Sequence, residues 1–150
     1  MSTEETTVGD ILSASVPMVR TLGITYLETT AERAVLSLPD RAEYHNHLGG
    51  PHAGAMFTLA ESASGAIVVA AFGDQMARAV PLPVTTEMAF KKVAMGDLTA
   101  TAVLCRPAAE VVAELDGGKR PEFPVKVEIR RADGAVTSEM SVVWTLRPNR

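Results

Sequence analysis

Residues 53–72 read AGAMFTLAESASGAIVVAAF, a run of apolar and small residues whose only charged side chain is Glu61. A helix of this length could span a bilayer, but an ionised glutamate near its centre would cost about 3 kcal/mol in a membrane. The rest of the chain reads as amphipathic strands, which need an apolar element to pack on. We therefore predict that this segment is a buried helix in a soluble domain.

The chain on both sides of this helix has the composition of strands. Asp133–Gly134 is a strong hairpin signal near the C-terminus. Apolar and polar residues alternate around it, which is typical of an antiparallel sheet with one buried face and one wetter face. A helix with little polar surface cannot lie outside such a sheet, so we predict a sheet that curls around it, with a neighbouring subunit covering the rest. Six segments read as strands, namely residues 22–29, 33–38, 84–93, 98–105, 123–130 and 136–147.

Two other segments have helical patterns. Residues 8–19 predict one short helix, with Pro17 close to its end. Residues 107–115 fit either a short helix or an extended hairpin arm. No linker, repeat or low-complexity stretch divides the sequence. We therefore predict a single α+β domain over residues 1–150, with a flexible N-terminus at residues 1–7.

Composition excludes several functional classes. The chain has 150 residues, of which 47% are hydrophobic and 21% charged, the balance of one soluble domain. Its net charge is −4 and its basic residues are scattered, which argues against a nucleic-acid partner. Cys105 is the only cysteine, so no internal disulfide can form. The acidic N-terminus lacks the pattern of a signal peptide, so we predict a cytoplasmic protein with no membrane partner.

Glu61 is the first candidate for chemistry. Burying a carboxylate costs several kcal/mol unless it is paired or neutralised. Burial would also raise its pKa and make it a better base near neutral pH. The alternative is a structural carboxylate that accepts hydrogen bonds from a neighbouring backbone or caps a partner helix. The residues alone favour neither interpretation.

The start of the helix is the second candidate. Residues 46–55, NHLGGPHAGA, place small residues before the first turn, whose free N–H groups suit a carbonyl oxygen that becomes an oxyanion. Glu61 lies roughly 10 Å along the axis from Gly54, by the rise per residue of a helix. Both groups cannot touch one atom within a single subunit. This distance predicts a dimer in which a second subunit supplies the other half of the site.

Two stretches resemble a known family. Residues 52–65, HAGAMFTLAESASG, resemble the HGGxxFxLADxAxG signature of hotdog thioesterases of the phenylacetate-degradation type, and Asn46 matches an asparagine that precedes it. Residues 85–104, TTEMAFKKVAMGDLTATAVL, resemble the next strand pair of that family, with a Phe and a turn Gly in their usual places. The resemblance implies a hotdog fold, in which a curled antiparallel sheet wraps around one long central helix.

The resemblance also implies an activity, the hydrolysis of acyl-CoA thioesters. Glu61 stands where the family has its acidic catalytic residue, a general base or a nucleophile. Ala53 and Gly54 stand where backbone N–H groups polarise the thioester carbonyl, and Asn46 where a side chain holds the substrate or the attacking water. The site would lie between two subunits of a homodimer or homotetramer. Coenzyme A would enter only as part of the substrate, with no separate cofactor.

The residues around the helix start complete the predicted site. Four basic residues could meet coenzyme A phosphates, with solvated charges at a strand edge as the favoured interpretation, namely Lys91, Lys92, Arg130 and Arg131. Glu61 replaces the more common Asp of the signature, and Ala53 replaces its middle glycine, where a methyl group would obstruct a positive φ or a close ligand. Ala53 favours a second hypothesis, a non-catalytic hotdog protein that binds acyl-CoA or another acyl ligand. We predict six substrate-binding residues, namely His47, Gly50, His52, Phe57, Phe90 and Lys91.

A metal site is a weaker alternative. The three histidines, His45, His47 and His52, suggest an ion shared by the two that are one residue apart, with Glu61 as a further ligand. Zinc sites usually show firmer ligand spacing, so we predict no metal. We expect His52 to pack or hydrogen-bond at the helix start and the other two histidines to line the mouth of the site. A hydratase or dehydratase on the same fold is weaker still, since its Asp/His pattern is not apparent.

Other nucleophiles lack the context they need. Ser62 and Ser64 have no flanking GxSxG turn, so we interpret both as small helix-packing residues. Cys105 lies in a strand pattern with no matched histidine and is predicted to be a buried thiol. The glycine-rich loop lacks the motifs that bind nucleotide phosphates.

Overall fold

The computed structural model describes residues 7–149, which form one sheet around a long helix. Its strands are β1 (Thr25–Thr29), β2 (Ala34–Leu38), β3 (Ala79–Phe90), β4 (Leu98–Leu104), β5 (Glu122–Arg131) and β6 (Val136–Pro148). Its α-helices are α1 (Val8–Ser15), α2 (Pro17–Leu22), α3 (Ala53–Phe72) and α4 (Ala108–Asp116). Short 3-10 turns lie at Ala42–Tyr44, before α3, and at Gly73–Gln75, after it.

The six strands pair antiparallel in the order β1-β2-β4-β5-β6-β3. Alternate side chains of the central strands are fully buried, as in β4 and β5, where Leu98, Ala100, Val125 and Val127 lie in the core. Their neighbours along each strand face outward, so one side of the sheet covers the helix. The predicted α+β architecture, a curled antiparallel sheet around one long helix, is therefore confirmed.

The helix α3 is the central element that the sequence predicted. It is long and apolar enough to cross a membrane by length and composition, but it lies inside the sheet with buried residues on several of its faces. Trp144 of β6 donates a hydrogen bond from Nε1 to Ser64 Oγ (3.2 Å), and Ser64 Oγ donates to the Glu61 carbonyl (2.7 Å). This chain of bonds fixes the sheet against the turn of α3 that carries Glu61. Ser64 is thus a buried packing residue, as predicted.

The N-terminal helical segment differs from its prediction. Residues 8–19 form parts of two helices, because Val16 adopts extended backbone angles (φ −117°, ψ 94°) and Pro17 begins α2. A residue before proline avoids the helical region, and proline itself suits the first turn, where no N–H bond is lost. Arg20 donates from Nη1 to the Ser13 and Ala14 carbonyls at 2.8 Å and so holds α2 against the end of α1.

Three other segments differ from their predictions from the sequence. Residues 108–116 form a helix, so the hairpin-arm alternative is wrong; Val111 and Leu115 face the core. Strand β3 begins at Ala79, five residues before the predicted start, because two prolines are tolerated in a strand that pairs on one side only. Strand β1 starts at Thr25 rather than residue 22, after Gly23 ends α2 with a φ of 70°.

Candidate active site

Glu61 lies in the third turn of α3 and is partly buried. Within residues 7–149 its carboxylate accepts no hydrogen bond and forms no salt bridge. The alternative in which it bonds a neighbouring backbone is therefore not found there, whereas the capping of a partner subunit's helix stays an alternative. Burial raises the pKa of this carboxyl group above its ordinary value. A carboxylate that is poorly solvated and unpaired is a stronger base than one in water, which suits proton transfer.

Tyr26 of β1 is the titratable neighbour of Glu61. Burial, together with the negative charge of Glu61, raises the pKa of the Tyr26 phenol to about 12. The phenol therefore stays protonated at neutral pH, which leaves Glu61 as the group that titrates on this side of the helix. The placement of Tyr26 depends on Gly9 of α1, because a Cβ at Gly9 would lie 2.7 Å from the Tyr26 Cβ. The absence of a side chain at that position lets α1 lie directly on β1.

Glu61 and Tyr26 border a cavity of about 250 Å³, which we call the Glu61 cavity. The two N-terminal helices cover it, α3 forms one wall and the sheet another. The polar residues in its lining are Tyr26, Glu61 and Ser62, and the remaining lining is apolar or glycine. Leu12, Val16, Gly65, Val69, Pro81 and Trp144 form much of that apolar wall.

A second cavity of about 420 Å³, the helix-start cavity, lies at the N-terminus of α3. It brings together Asn46, Ala53, Phe90 and Lys91, four of the predicted site residues that lie far apart in the sequence. Phe90 and Lys91 follow from the end of β3 and are exposed. The lysine forms a salt bridge of 2.9 Å with Glu139, so part of its charge is already matched.

Asn46 uses its side chain to close the loop before α3. Its Oδ1 accepts hydrogen bonds from the N–H groups of Leu48 (2.9 Å) and Gly50 (3.2 Å), and its Nδ2 donates to the Pro51 carbonyl (3.3 Å). Gly50 is buried, and a Cβ there would lie 2.3 Å from the Ala94 carbonyl oxygen. Asn46 therefore lines the helix-start cavity, whereas Gly50 packs against Ala94, another residue of its lining, and contact of either with a substrate stays a prediction.

His52 is the N-cap of α3, and its Nδ1 accepts a hydrogen bond of 2.8 Å from the Gly54 N–H. The Gly54 amide, one of the two predicted oxyanion donors, is thus occupied without a ligand. The Ala53 N–H donates to no acceptor among the described residues. Ala53 is also an ordinary helical residue, since no non-glycine residue in residues 7–149 has a positive φ. Its methyl group therefore causes no backbone strain.

Several predicted residues lie apart from both cavities. His47 and Phe57 are exposed, and neither lines the Glu61 cavity or the helix-start cavity. The two cavities share no lining residue, so one subunit does not bring Glu61 to Asn46 and Ala53. This separation agrees with the distance along α3 from which we predicted a second subunit.

The other candidates have simpler surroundings. His45 Nε2 lies 2.6 Å from Asp40 Oδ1, and within residues 7–149 no three histidine, cysteine or acidic side chains converge where an ion could bind. The metal alternative therefore finds no support there. Cys105 is exposed, so its prediction as a buried thiol is wrong; it follows β4, where the chain turns toward α4.

The fold and the site define a hotdog domain whose central helix carries a carboxylate with no partner among residues 7–149. The chain belongs to the family described as a domain of unknown function, DUF4442, which matches residues 5–146. No curated protein sequence matches the chain.

Solved structures with the same fold come from several bacteria. A protein of unknown function from Pseudomonas aeruginosa, described as a probable thioesterase, is 24% identical, with a TM-score of 0.84 over 95% of this chain and 94% of that one. A thioesterase family protein from Silicibacter pomeroyi is 22% identical, with a TM-score of 0.74 over 95% and 96%. The PaaI protein of the E. coli phenylacetic acid degradation operon is 17% identical, with a TM-score of 0.72 over 93% and 89%. These likenesses confirm the resemblance to hotdog thioesterases as one of fold.

Proposed function

We propose that the protein is an acyl-CoA thioesterase in which Glu61 is the catalytic base or nucleophile. The observation that carries this proposal is the partly buried, unpaired carboxylate of Glu61, with its raised pKa, beside an apolar cavity. The descriptions of two structural neighbours as thioesterases, and the origin of a third in phenylacetic acid degradation, support the same class of reaction.

In the base mechanism, the Glu61 carboxylate takes a proton from a water molecule whose oxygen attacks the thioester carbonyl carbon. The carbonyl oxygen becomes an oxyanion and accepts a hydrogen bond from the Ala53 N–H. The C–S bond then breaks, and the proton passes from Glu61 to the departing thiolate. In the nucleophile mechanism, a Glu61 oxygen attacks the carbonyl carbon first, the C–S bond breaks, and the thiolate leaves and takes a proton from water. The mixed anhydride that remains on Glu61 is then hydrolysed by water, which releases the acid and restores the carboxylate. The proposal includes both mechanisms.

The proposed site needs two copies of the chain, because the Glu61 cavity and the helix-start cavity are separate in one subunit. Strand β3 is a sheet edge with exposed residues at positions 83–87, and it leads directly into the helix-start cavity at Phe90 and Lys91. We infer a homo-oligomer, a dimer or a tetramer, in which Glu61 of one subunit faces the helix-start cavity of its partner. Lys91 and Lys92 at the rim of that cavity would meet the phosphates of coenzyme A.

A second candidate function is acyl-ligand binding without catalysis. The hydrogen bond from the Gly54 N–H to His52 Nδ1 favours it, because it removes one of the two donors proposed for the oxyanion. Catalysis with both donors requires His52 to turn away when substrate binds. A binding protein requires no such change.

The test is a panel of acyl-CoA substrates with detection of the released thiol. Glu61→Gln should lower kcat/KM by about 100-fold or more, as removal of a positioned base does. Glu122→Gln makes the same change on an exposed side chain of β5 and should leave kcat/KM unaltered. Equal rates for the wild type and Glu61→Gln would remove Glu61 from the chemistry. Tight binding with no turnover for any substrate would establish the second candidate function.

A further inference from the structure

We propose that the Glu61 cavity is the binding pocket for an unsubstituted acyl chain of medium length, about six to eight carbons by its volume, and that Gly65 sets its capacity. This inference rests on the proposed function, since it names the substrate class of the same site. It assigns the pocket to the helical hairpin α1–α2, the residues after Glu61 on α3, and β6.

The size of the cavity sets the length of the chain. A methylene group occupies somewhat less than the liquid volume of a water molecule, which is about 30 Å³, so 250 Å³ accommodates about eight such groups. The lining residues of α3 extend from Glu61 to Val69, roughly 12 Å along the helix axis by the rise per residue. The acyl carbonyl would lie at the Glu61 end and the chain would run toward Val69 and Trp144.

The wall beyond Glu61, Ser62 and Tyr26 disfavours polar substituents on the chain. Beyond Glu61 the lining residues of α3 are Gly65, Val68 and Val69, and the sheet contributes Pro81 and Trp144. The indole N–H of Trp144 is already donated to Ser64 Oγ, so this wall offers no free side-chain donor to a ligand. A hydroxyl group on the distal half of the chain would lose its water and gain no partner, which disfavours binding.

Gly65 is the residue that keeps the cavity open. Glycine in the middle of a helix is a poorer helix former than alanine, so its presence there needs a reason. Close packing is not that reason, because a Cβ at Gly65 would meet Trp144 Cη2 and Cζ2 at 3.8 Å, an ordinary contact distance. Backbone strain is not the reason either, since Gly65 has no positive φ. What the missing side chain leaves is free volume in the wall of the cavity.

The test measures kcat/KM of the wild type for straight-chain acyl-CoA substrates from C2 to C16, with 5-hydroxyhexanoyl-CoA beside hexanoyl-CoA. We expect kcat/KM to rise about fourfold for each buried methylene group up to a maximum near C6–C8, and to fall for longer chains. The hydroxylated substrate should be at least about tenfold poorer than hexanoyl-CoA. A profile that stays level from C8 to C16, or equal rates for the two C6 substrates, would overturn the inference.

Two substitutions test the role of Gly65. Gly65→Ala should preserve or raise the melting temperature and shift the preferred chain length downward by one or two carbons, and Gly65→Val should shift it further. Gly73→Ala is the matched control, since that glycine follows the same helix and a Cβ there has no atom within 4 Å. If Gly65→Ala and Gly65→Val both fold and keep the chain-length preference of the wild type, Gly65 does not set the capacity of the Glu61 cavity.

Binding separates this inference from the proposed function. Calorimetric titration of the wild type with hexanoyl-CoA, octanoyl-CoA and palmitoyl-CoA reports chain preference even when nothing is hydrolysed. Medium-chain preference without turnover, lost in Gly65→Val, would support the pocket and contradict the thioesterase. Turnover with no chain-length preference in either rate or affinity would support the thioesterase and contradict the pocket.

Discussion

The two cavities are built from different kinds of contact. The helix-start cavity depends on local hydrogen bonds, since Asn46 closes its loop onto residues two to five positions away. The Glu61 cavity depends on packing between distant segments, as in the bond between Trp144 and Ser64, 80 residues apart. The lining of the first contains Asn46 and two lysines among mostly apolar residues, whereas the lining of the second contains a carboxylate, that of Glu61, and no cationic side chain.

This contrast indicates a division of labour. Backbone N–H groups and cationic side chains suit the carbonyl and the phosphates of a thioester, both of which carry or develop negative charge. An apolar cavity suits a hydrocarbon chain, and a poorly solvated carboxylate suits proton transfer. Each region lacks what the other provides, which is the basis for proposing that they meet across a subunit interface.

The strongest test of that division mixes two inactive proteins. Glu61→Gln and Asn46→Ala would each inactivate the site in a homodimer, one through the base and the other through the loop. Refolded together at equal concentration, they should recover about a quarter of wild-type activity, because half of the dimers are mixed and each has one intact site. The readout is thiol release from an acyl-CoA substrate before and after mixing.

The same mixture made from Glu61→Gln and the wild type corrects for subunit exchange and recovery of protein. If Glu61 and Asn46 acted within one subunit, every mixed dimer would have one defect in each site. Activity that stays at the background level in verified mixed dimers would therefore contradict a shared site.

The pH dependence of kcat/KM tests the Glu61 cavity alone. Burial raises the pKa of Glu61, and either mechanism needs its ionised form, so kcat/KM should fall as pH drops through that raised pKa, approaching tenfold per pH unit. The apparent pKa should exceed 4.5, the ordinary value for glutamate. Tyr26 adds no change near neutrality because its pKa is about 12. Activity that is level down to pH 4.5, with the protein still folded by circular dichroism, would contradict this assignment.

Much of the helix-start region could be predicted from the sequence because its interactions are local. The spacing from residue 46 through the first turn of α3 identified the loop, the helix start and the free amide of Ala53, and the lone charge identified Glu61; the spacing did not predict that His52 occupies the Gly54 amide. The walls of the Glu61 cavity could not be predicted, since Leu12, Tyr26 and Trp144 meet only after the sheet curls. The alternation of apolar and polar residues placed Tyr26 and Trp144 in strands, but it did not indicate which strand faces which turn of the helix.

The errors in secondary structure have the same origin. The sequence predicted one helix over residues 8–19 with Pro17 close to its end, and a strand that begins at residue 84, just after Pro81 and Pro83. The local effect of proline depends on the partners around it: one proline starts a helix, and the other two lie in an edge strand that pairs on one side. The exposure of Cys105 likewise depends on where β4 ends and α4 begins, which alternation along the strand does not define.

Gly50→Ala has the smallest expected effect of the proposed substitutions. It tests the helix-start region alone, through the stability of the protein. Its Cβ would lie 2.3 Å from the Ala94 carbonyl oxygen, so the loop before α3 must move away from the segment that follows β3. Overpacking of this kind costs about 1–3 kcal/mol, which would lower the melting temperature by roughly 2–12 °C. Gly73→Ala, with open space around its Cβ, should have no such cost and serves as the control.

The chain-length profile of Gly50→Ala is the more informative readout. The substitution displaces Ala94, which lines the helix-start cavity, and Gly50 is no part of the lining of the Glu61 cavity. We therefore expect kcat/KM to fall for every acyl-CoA while the preferred chain length stays the same. A shifted chain length would show that the loop before α3 also contacts the acyl chain. The proposal that the helix-start cavity binds the thioester group and the Glu61 cavity selects the length of the acyl chain would then be wrong.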